Sequence, residues 1–161
     1  MQEWKLPPAQ LKGDAVLYVI TGPPASGKSS WIQAHAKAAD VVIDLDRITM
    51  ALTGPGAPQW SQDRVHVRIA QRARFAAIDE ALTHLDEVDV YLIHTMPSPK
   101  ARAKYRRLGA EIVTVDPGED IVRERVAAMR SPAMDGVVTR WYRDYRKGGS
   151  RPVTTQASRE W

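Results

Sequence analysis

No cysteine occurs among the 161 residues. That excludes a disulfide framework, a thiol nucleophile and a zinc site built on cysteine. The four histidines, His35, His66, His84 and His94, fall at no metal-ligand spacing. No apolar run approaches the ~20 residues of a membrane-spanning helix. The opening MQEWKLPPAQLKGD is too poor in apolar residues for a secretory signal, so a cytoplasmic protein is the expectation.

What is present is the composition of a soluble globular protein, 43% hydrophobic and 26% charged. The length fits one domain over residues 1–161, with a core at about 14–147 and a tail over 148–161. The net charge of +4 is unevenly spread. Residues 1–99 carry 9 Lys+Arg against 11 Asp+Glu, and residues 100–161 carry 14 against 8. A basic C-terminal half points to an anionic partner, either a triphosphate or a nucleic acid, although a solvated surface has the same signature.

The most informative stretch is TGPPASGKSS, residues 21–30. Gly22-Pro23-Pro24-Ala25-Ser26-Gly27-Lys28-Ser29 fits the phosphate-binding pattern G-x-x-x-x-G-K-[ST]. Glycine reaches backbone conformations closed to other residues, so successive N–H groups can turn inward around an anion. The helix start that follows, at Lys28, Ser29 and Ser30, adds unpaired N–H groups and a partial positive charge. Lys28 is placed to reach the β- and γ-phosphates, and the Ser29 hydroxyl to hold Mg²⁺. The context agrees: the apolar run Ala15–Ile20 precedes the motif, and an alanine-rich, proline-free segment follows it.

Further along, the pattern predicts strands at about 16–20, 41–43, 88–94 and 111–115. Helices are predicted at about 28–39, from a Ser61 cap to Leu85, from Ser98-Pro99 to Gly109, 119–130 and 135–147. In the long helix Phe75, Ile78, Leu82 and Leu85 form one apolar stripe. TGPGAPQWSQ, residues 53–62, reads as a loop. Alternating strands and helices define an α/β fold with a parallel sheet. Ligands in such sheets bind beyond the carboxyl ends of the strands, which singles out the loop at 22–29, Asp44, Asp46, His94, Thr95 and Asp116.

A phosphate loop serves switches, motors and kinases alike. The chain has no guanine-reading N-K-x-D and is small for a motor. A kinase needs a base for the acceptor hydroxyl and cations for the phosphoryl group in flight. Asp46, just after the second strand, is the candidate base. Asp44, two residues earlier, is a candidate either for Mg²⁺ contact or for capping the next helix. Arg123, Arg125 and Arg130 lie on a helix that breaks at Ser131-Pro132, the pattern of a lid closing over a triphosphate, with a solvated helix face as the plainer alternative.

The segments GPPASGKSS, DLDR and HTMPSPKARAKYRRLGAEIVTVD, with the arginine-rich helix and the aromatic helix after it, resemble the phage-type polynucleotide 5′-hydroxyl kinases. These belong to a wider group of small P-loop kinases with zeta-toxin-like and gluconate-kinase-like enzymes. The resemblance covers about residues 16–147. It implies a four- or five-stranded parallel core, an Arg-bearing helical lid, and ATP- and Mg²⁺-dependent transfer to a hydroxyl. By position it implies Lys28 and Ser29 as the loop residues and Asp46 as the base. The lid arginine falls on Arg130, with Arg125 as second choice. His94 stands where the family tends to have an acidic residue, and Thr49 where it has an arginine for the acceptor's phosphate. Arg47 is the nearest substitute. These residues carry no phosphatase pattern, so any end-healing role is expected to be that of a kinase alone.

For the acceptor, Arg140, Trp141, Tyr142, Arg143, Tyr145, Arg146 and Lys147 interleave aromatic and cationic residues, as single-stranded nucleic-acid binding requires. Arg64, Arg68 and Arg72 form a basic stripe, and Trp60 could stack on an acceptor base or staple its loop. Core packing by Trp141 and Tyr145 and a solvated arginine face are the plainer alternatives. The leading expectation is a kinase for a hydroxyl on DNA or RNA, at a 5′ end or on a hydroxymethylated base. A small-molecule kinase and an NTP-binding regulatory protein are the alternatives.

Overall fold

The computed structural model describes residues 15–59, 63–129 and 132–148. Four strands, β1 (Leu17–Thr21), β2 (Val41–Ile43), β3 (Val90–Ile93) and β4 (Glu111–Thr114), form one parallel sheet in the order β2-β3-β1-β4. The helices are α1 (Lys28–His35), α2 (Leu45–Ala51), α3 (Arg64–Ala81), α4 (Pro99–Arg107), α5 (Glu119–Ala128) and α6 (Pro132–Gly148). The expected α/β class and parallel sheet are therefore present. Val90 stands in register with both Leu17 and Val41, which brings the carboxyl ends of β1, β2 and β3 together at one edge.

Alternation along β1 divides the core, because successive strand side chains point to opposite faces. Leu17 and Val19 join Ile43, Val90 and Leu92 against Ile78 and Ala81 of α3 and Tyr105 of α4. Ile20, the next residue along the strand, packs on the other face with Tyr91, Val113 and Val115 against Ile32 of α1. A third cluster is separate. Val122 and Val126 of α5 close on Val138, Trp141 and Tyr142 of α6.

Several local expectations change. The segment after β2 is not loop alone: Leu45–Ala51 is a helix, with Asp44 in extended backbone as its N-cap. Helix α1 ends at His35 rather than near 39, and α6 begins at Pro132 rather than 135. Ile78 is buried in the α3 stripe and Leu82 and Leu85 pack beside it, but Phe75 is 59% exposed. Its spacing from Ile78 is helical, yet it lies beyond the edge of the buried face. Ser61 lies outside the described residues, and Asp63 occupies the N-cap position of α3. Among the described residues no helix is long and apolar enough to cross a membrane.

Candidate active site

The loop between β1 and α1 owes its path to its glycines. Gly22 has φ +145°, and a Cβ there would lie 2.2 Å from the carbonyl oxygen of Val115. Gly27, with φ 99°, is the left-handed N-cap of α1. Between them Ala25 also takes a positive φ of 55°, a costly conformation for a residue with a Cβ. Ser26 is fully buried and its amide donates to the Pro23 carbonyl at 3.3 Å. Pro24, in the turn, and Ser30, in the first turn of α1, lie partly buried.

Lys28 is folded back into this loop and only 8% exposed. Its Nζ donates to the carbonyls of Gly22 (3.1 Å) and Pro23 (2.6 Å) and lies 3.5 Å from Ser26 Oγ. Burial pulls its pKa down to about 8, against the opposing attraction of Asp46 and Asp44. These carbonyls accept its hydrogen bonds without neutralising its charge.

The neighbouring strand end supplies acids. Asp44, 6% exposed, accepts from Ser29 Oγ through Oδ2 (3.2 Å) and from the Asp46 amide through Oδ1 (3.0 Å). Of the two roles expected for Asp44, capping is realised, and its other oxygen meets the Ser29 hydroxyl. Asp46 follows in the first turn of α2, at the solvent-facing side of the cleft. Its pKa is raised, chiefly by desolvation and then by the charge of Asp44, with Lys28 pulling the other way.

Lys28, Ser29, Asp44 and Asp46 line one cleft of about 250 Å³. Arg74 of α3 and His94 and Thr95 beyond β3 complete it, with Leu45 and Met96 as apolar lining. Arg74 is a residue the sequence reading missed. It donates from Nη2 to the Ile93 carbonyl at 2.8 Å. His94 is fixed by Tyr105, whose hydroxyl lies 2.8 Å from Nδ1. Burial, helped by Arg74 and Arg102, lowers the His94 pKa to about 4, so the imidazole is neutral at physiological pH.

The described oxygens fit Mg²⁺. Ser29 and Asp44 are hard donors beside a phosphate loop, and Mg²⁺ in such sites takes few protein ligands and completes its shell with water and phosphate. Among the described residues no cluster of three or more acidic, histidine or cysteine side chains surrounds a metal position.

The arginine-rich helix divides its roles. Arg125 donates to the Ala25 carbonyl at 3.1 Å, so it reaches the phosphate loop. Arg123 instead joins α5 to α6, meeting Glu119 at 2.8 Å, Asp135 at 2.7 Å and Thr139 at 3.2 Å. Arg130 and Trp60 lie outside the described residues. Arg47 is exposed on α2, and Arg64 and Arg68 are exposed on α3; none of the three lines the cleft.

The aromatic helix packs inward. Trp141 is 3% exposed, and its Nε1 donates to the Thr95 carbonyl at 3.0 Å. Tyr142 is buried, and its hydroxyl donates to Asp116 Oδ1 at 2.7 Å. Tyr145 stacks on Trp141 with ring centroids 4.6 Å apart. The core-packing alternative expected for Trp141 and Tyr145 therefore holds: Trp141 is buried and Tyr145 packs partly buried beside it, and Tyr142 is buried as well.

A parallel sheet with a glycine-framed loop at the end of its central strand, a lysine inside that loop and a serine–aspartate pair beside it defines a P-loop domain. The chain belongs to the AAA domain family, AAA_33, whose model matches residues 17–142. No curated protein matches the chain by sequence. Among solved structures it is similar to a "putative kinase" from Chloroflexus aurantiacus J-10-fl, at 19% identity and TM-score 0.59, over 78% of this chain and 75% of that one. It is also similar to APE1195, at 17% identity and TM-score 0.45, over 92% and 89% of the two chains.

Proposed function

We propose that the protein is a kinase that transfers the γ-phosphoryl group of ATP to a hydroxyl acceptor. The observation that carries this reading is the double use of Asp44. By pairing with Ser29 and capping α2, it sets Asp46 into the same cleft as Lys28. The kinase description of the Chloroflexus protein agrees with this reading.

In this mechanism the loop amides and Lys28 hold the β- and γ-phosphates. Asp46 accepts the acceptor's proton as the acceptor oxygen bonds to the γ-phosphorus and the bond to the β-phosphate oxygen breaks, leaving ADP. Arg125, and Arg130 as the further lid candidate, offset charge on the phosphoryl oxygens. Ser29 and Asp44 would hold Mg²⁺, which when bound neutralises phosphate charge.

For the acceptor we favour a hydroxyl on DNA or RNA, as in the phage-type polynucleotide kinases that the sequence resembles. The exposed arginines of α3 support this. Burial of Trp141 and Tyr142 removes the stacking argument and favours the second reading, a small hydroxyl-bearing substrate. The test is labelled ATP with 5′-hydroxyl DNA, 5′-hydroxyl RNA, hydroxymethylated duplex, nucleosides and sugars. Transfer that falls steeply with salt marks a nucleic-acid acceptor. ATP binding without transfer to any of them sinks the kinase reading.

A further inference from the structure

Arg74 stands apart from the other arginines of α3. Arg64, Arg68 and Arg72 are exposed, whereas Arg74 is partly buried and lines the cleft with Lys28, Ser29 and Asp46. Its hydrogen bond goes to a neutral acceptor, the Ile93 carbonyl, through one terminal nitrogen. Among the described residues no carboxylate forms an ion pair with it. A guanidinium has five N–H donors in a rigid fork, so most of this group's capacity is left for a ligand. Desolvation lowers its pKa, with the charges of Tyr105 and then Asp44 acting in the opposite direction. His94 beside it is neutral and tied to Tyr105, so it offers the guanidinium no charge partner.

We propose that Arg74 holds a phosphate oxyanion on the floor of the cleft, beside the loop, and that this oxyanion is the terminal phosphate of the bound nucleotide. The bond to Ile93 fixes the guanidinium against the end of β3, so the remaining fork meets the anion without being ordered on binding. The inference deepens the phosphotransfer reading and rests on it for the identity of the nucleotide. The other source of the same chemistry is an oxyanion carried by the acceptor.

The experiment compares the wild-type chain with Arg74→Gln and Arg74→Lys. Calorimetric titration with ATP and with ADP, without acceptor, is run beside thermal melting. Arg74→Gln should leave ADP affinity within about twofold and weaken ATP by roughly tenfold or more, the range for hydrogen bonds to charged groups. Arg74→Lys, which keeps the charge and loses the fork, should fall between the two. A purely structural role would not change the preference for ATP over ADP. If that preference is unchanged but KM rises only for acceptors bearing an oxyanion near the hydroxyl, the site holds the acceptor's phosphate instead. Equal loss of ATP and ADP overturns the proposal. So does an unchanged preference with no change, or no turnover, on every acceptor. Wild-type protein that binds ATP but phosphorylates nothing defeats the kinase reading, while the nucleotide titrations still judge Arg74.

Discussion

Ser29 Oγ lies 3.2 Å from Asp44 Oδ2, while the other oxygen of the same carboxylate caps α2 through the Asp46 amide. Two loops that follow different strands are therefore one electrostatic unit. Asp44→Ala should cost about 0.5–2 kcal/mol as a lost cap and should also weaken Mg²⁺-dependent nucleotide binding. Asp44→Asn, which can still cap, should retain stability and show the binding defect alone, relieved at high Mg²⁺. Melting curves and nucleotide titrations on the two variants separate the roles. Equal stability of all three proteins would mean that the cap contributes nothing.

Asp46→Asn removes the proposed base with almost no change in volume. ATP should bind as well as before, or slightly better with one negative charge gone. Transfer should fall by roughly 100-fold or more, the range for a positioned base. Because desolvation and Asp44 raise the Asp46 pKa, the acid limb of the wild-type pH–rate profile should lie above the ordinary aspartate range. It should vanish in the variant. A defect confined to ATP affinity would make Asp46 a metal-site residue.

Lys28 titrates near 8 because it is buried among carbonyls. A bound phosphate restores its charge and raises that value. Nucleotide binding at about pH 8.5 should therefore take up a fraction of a proton, and this uptake should shrink towards pH 7, where the amine is already protonated. Calorimetry in buffers of different ionisation enthalpy reads the difference directly. Lys28→Ala should fold and lose phosphoryl transfer.

Arg123 and Arg125, two residues apart, should respond differently. Arg123→Ala breaks the tie from α5 to Asp135 of α6, and the pair with Glu119 within α5, so it should lower the melting temperature more than turnover. Arg125→Ala removes the contact with the phosphate loop and should lower turnover about tenfold or more with little loss of stability. Reversed outcomes would exchange their roles.

His94 is neutral in the folded protein down to about pH 4, against an ordinary value of 6.5. Between those values the unfolded chain binds the extra proton, so stability falls as pH drops through this window. His94→Gln should flatten that part of the stability profile. An unchanged slope would assign the acid sensitivity to carboxylates elsewhere.

The phosphate loop was legible from sequence because its geometry is imposed by residue type. Gly22 faces a carbonyl at a distance no Cβ tolerates, and Gly27 must turn left-handed to start α1. Helix α2 was not legible. Its seven residues give too few turns for a periodic signal, and its start depends on a cap whose carboxylate also had a reading as a metal contact. Arg74 was hidden by a stronger pattern. Arg64, Arg68 and Arg72 mark one face of α3, and two more residues turn the helix by about 200°, bringing Arg74 to the cleft. The aromatics of α6 carry the same spacing whether they meet bases or a core, and only their partners in α5 and at Thr95 decide.

The central position of β1 has a consequence for the order in which the protein can be made. β1 is synthesised first among the four strands, but its neighbours are β3 and β4, which emerge some 70–95 residues later. Gly22 is packed against Val115, and the Thr95 carbonyl that receives the Gly22 amide is also bound by Trp141. A nascent chain holding the complete GPPASGKS motif therefore still lacks the walls that shape it. During translation the motif acquires its nucleotide-binding form only after β4 has left the ribosome, and its anchor to α6 only after residue 141.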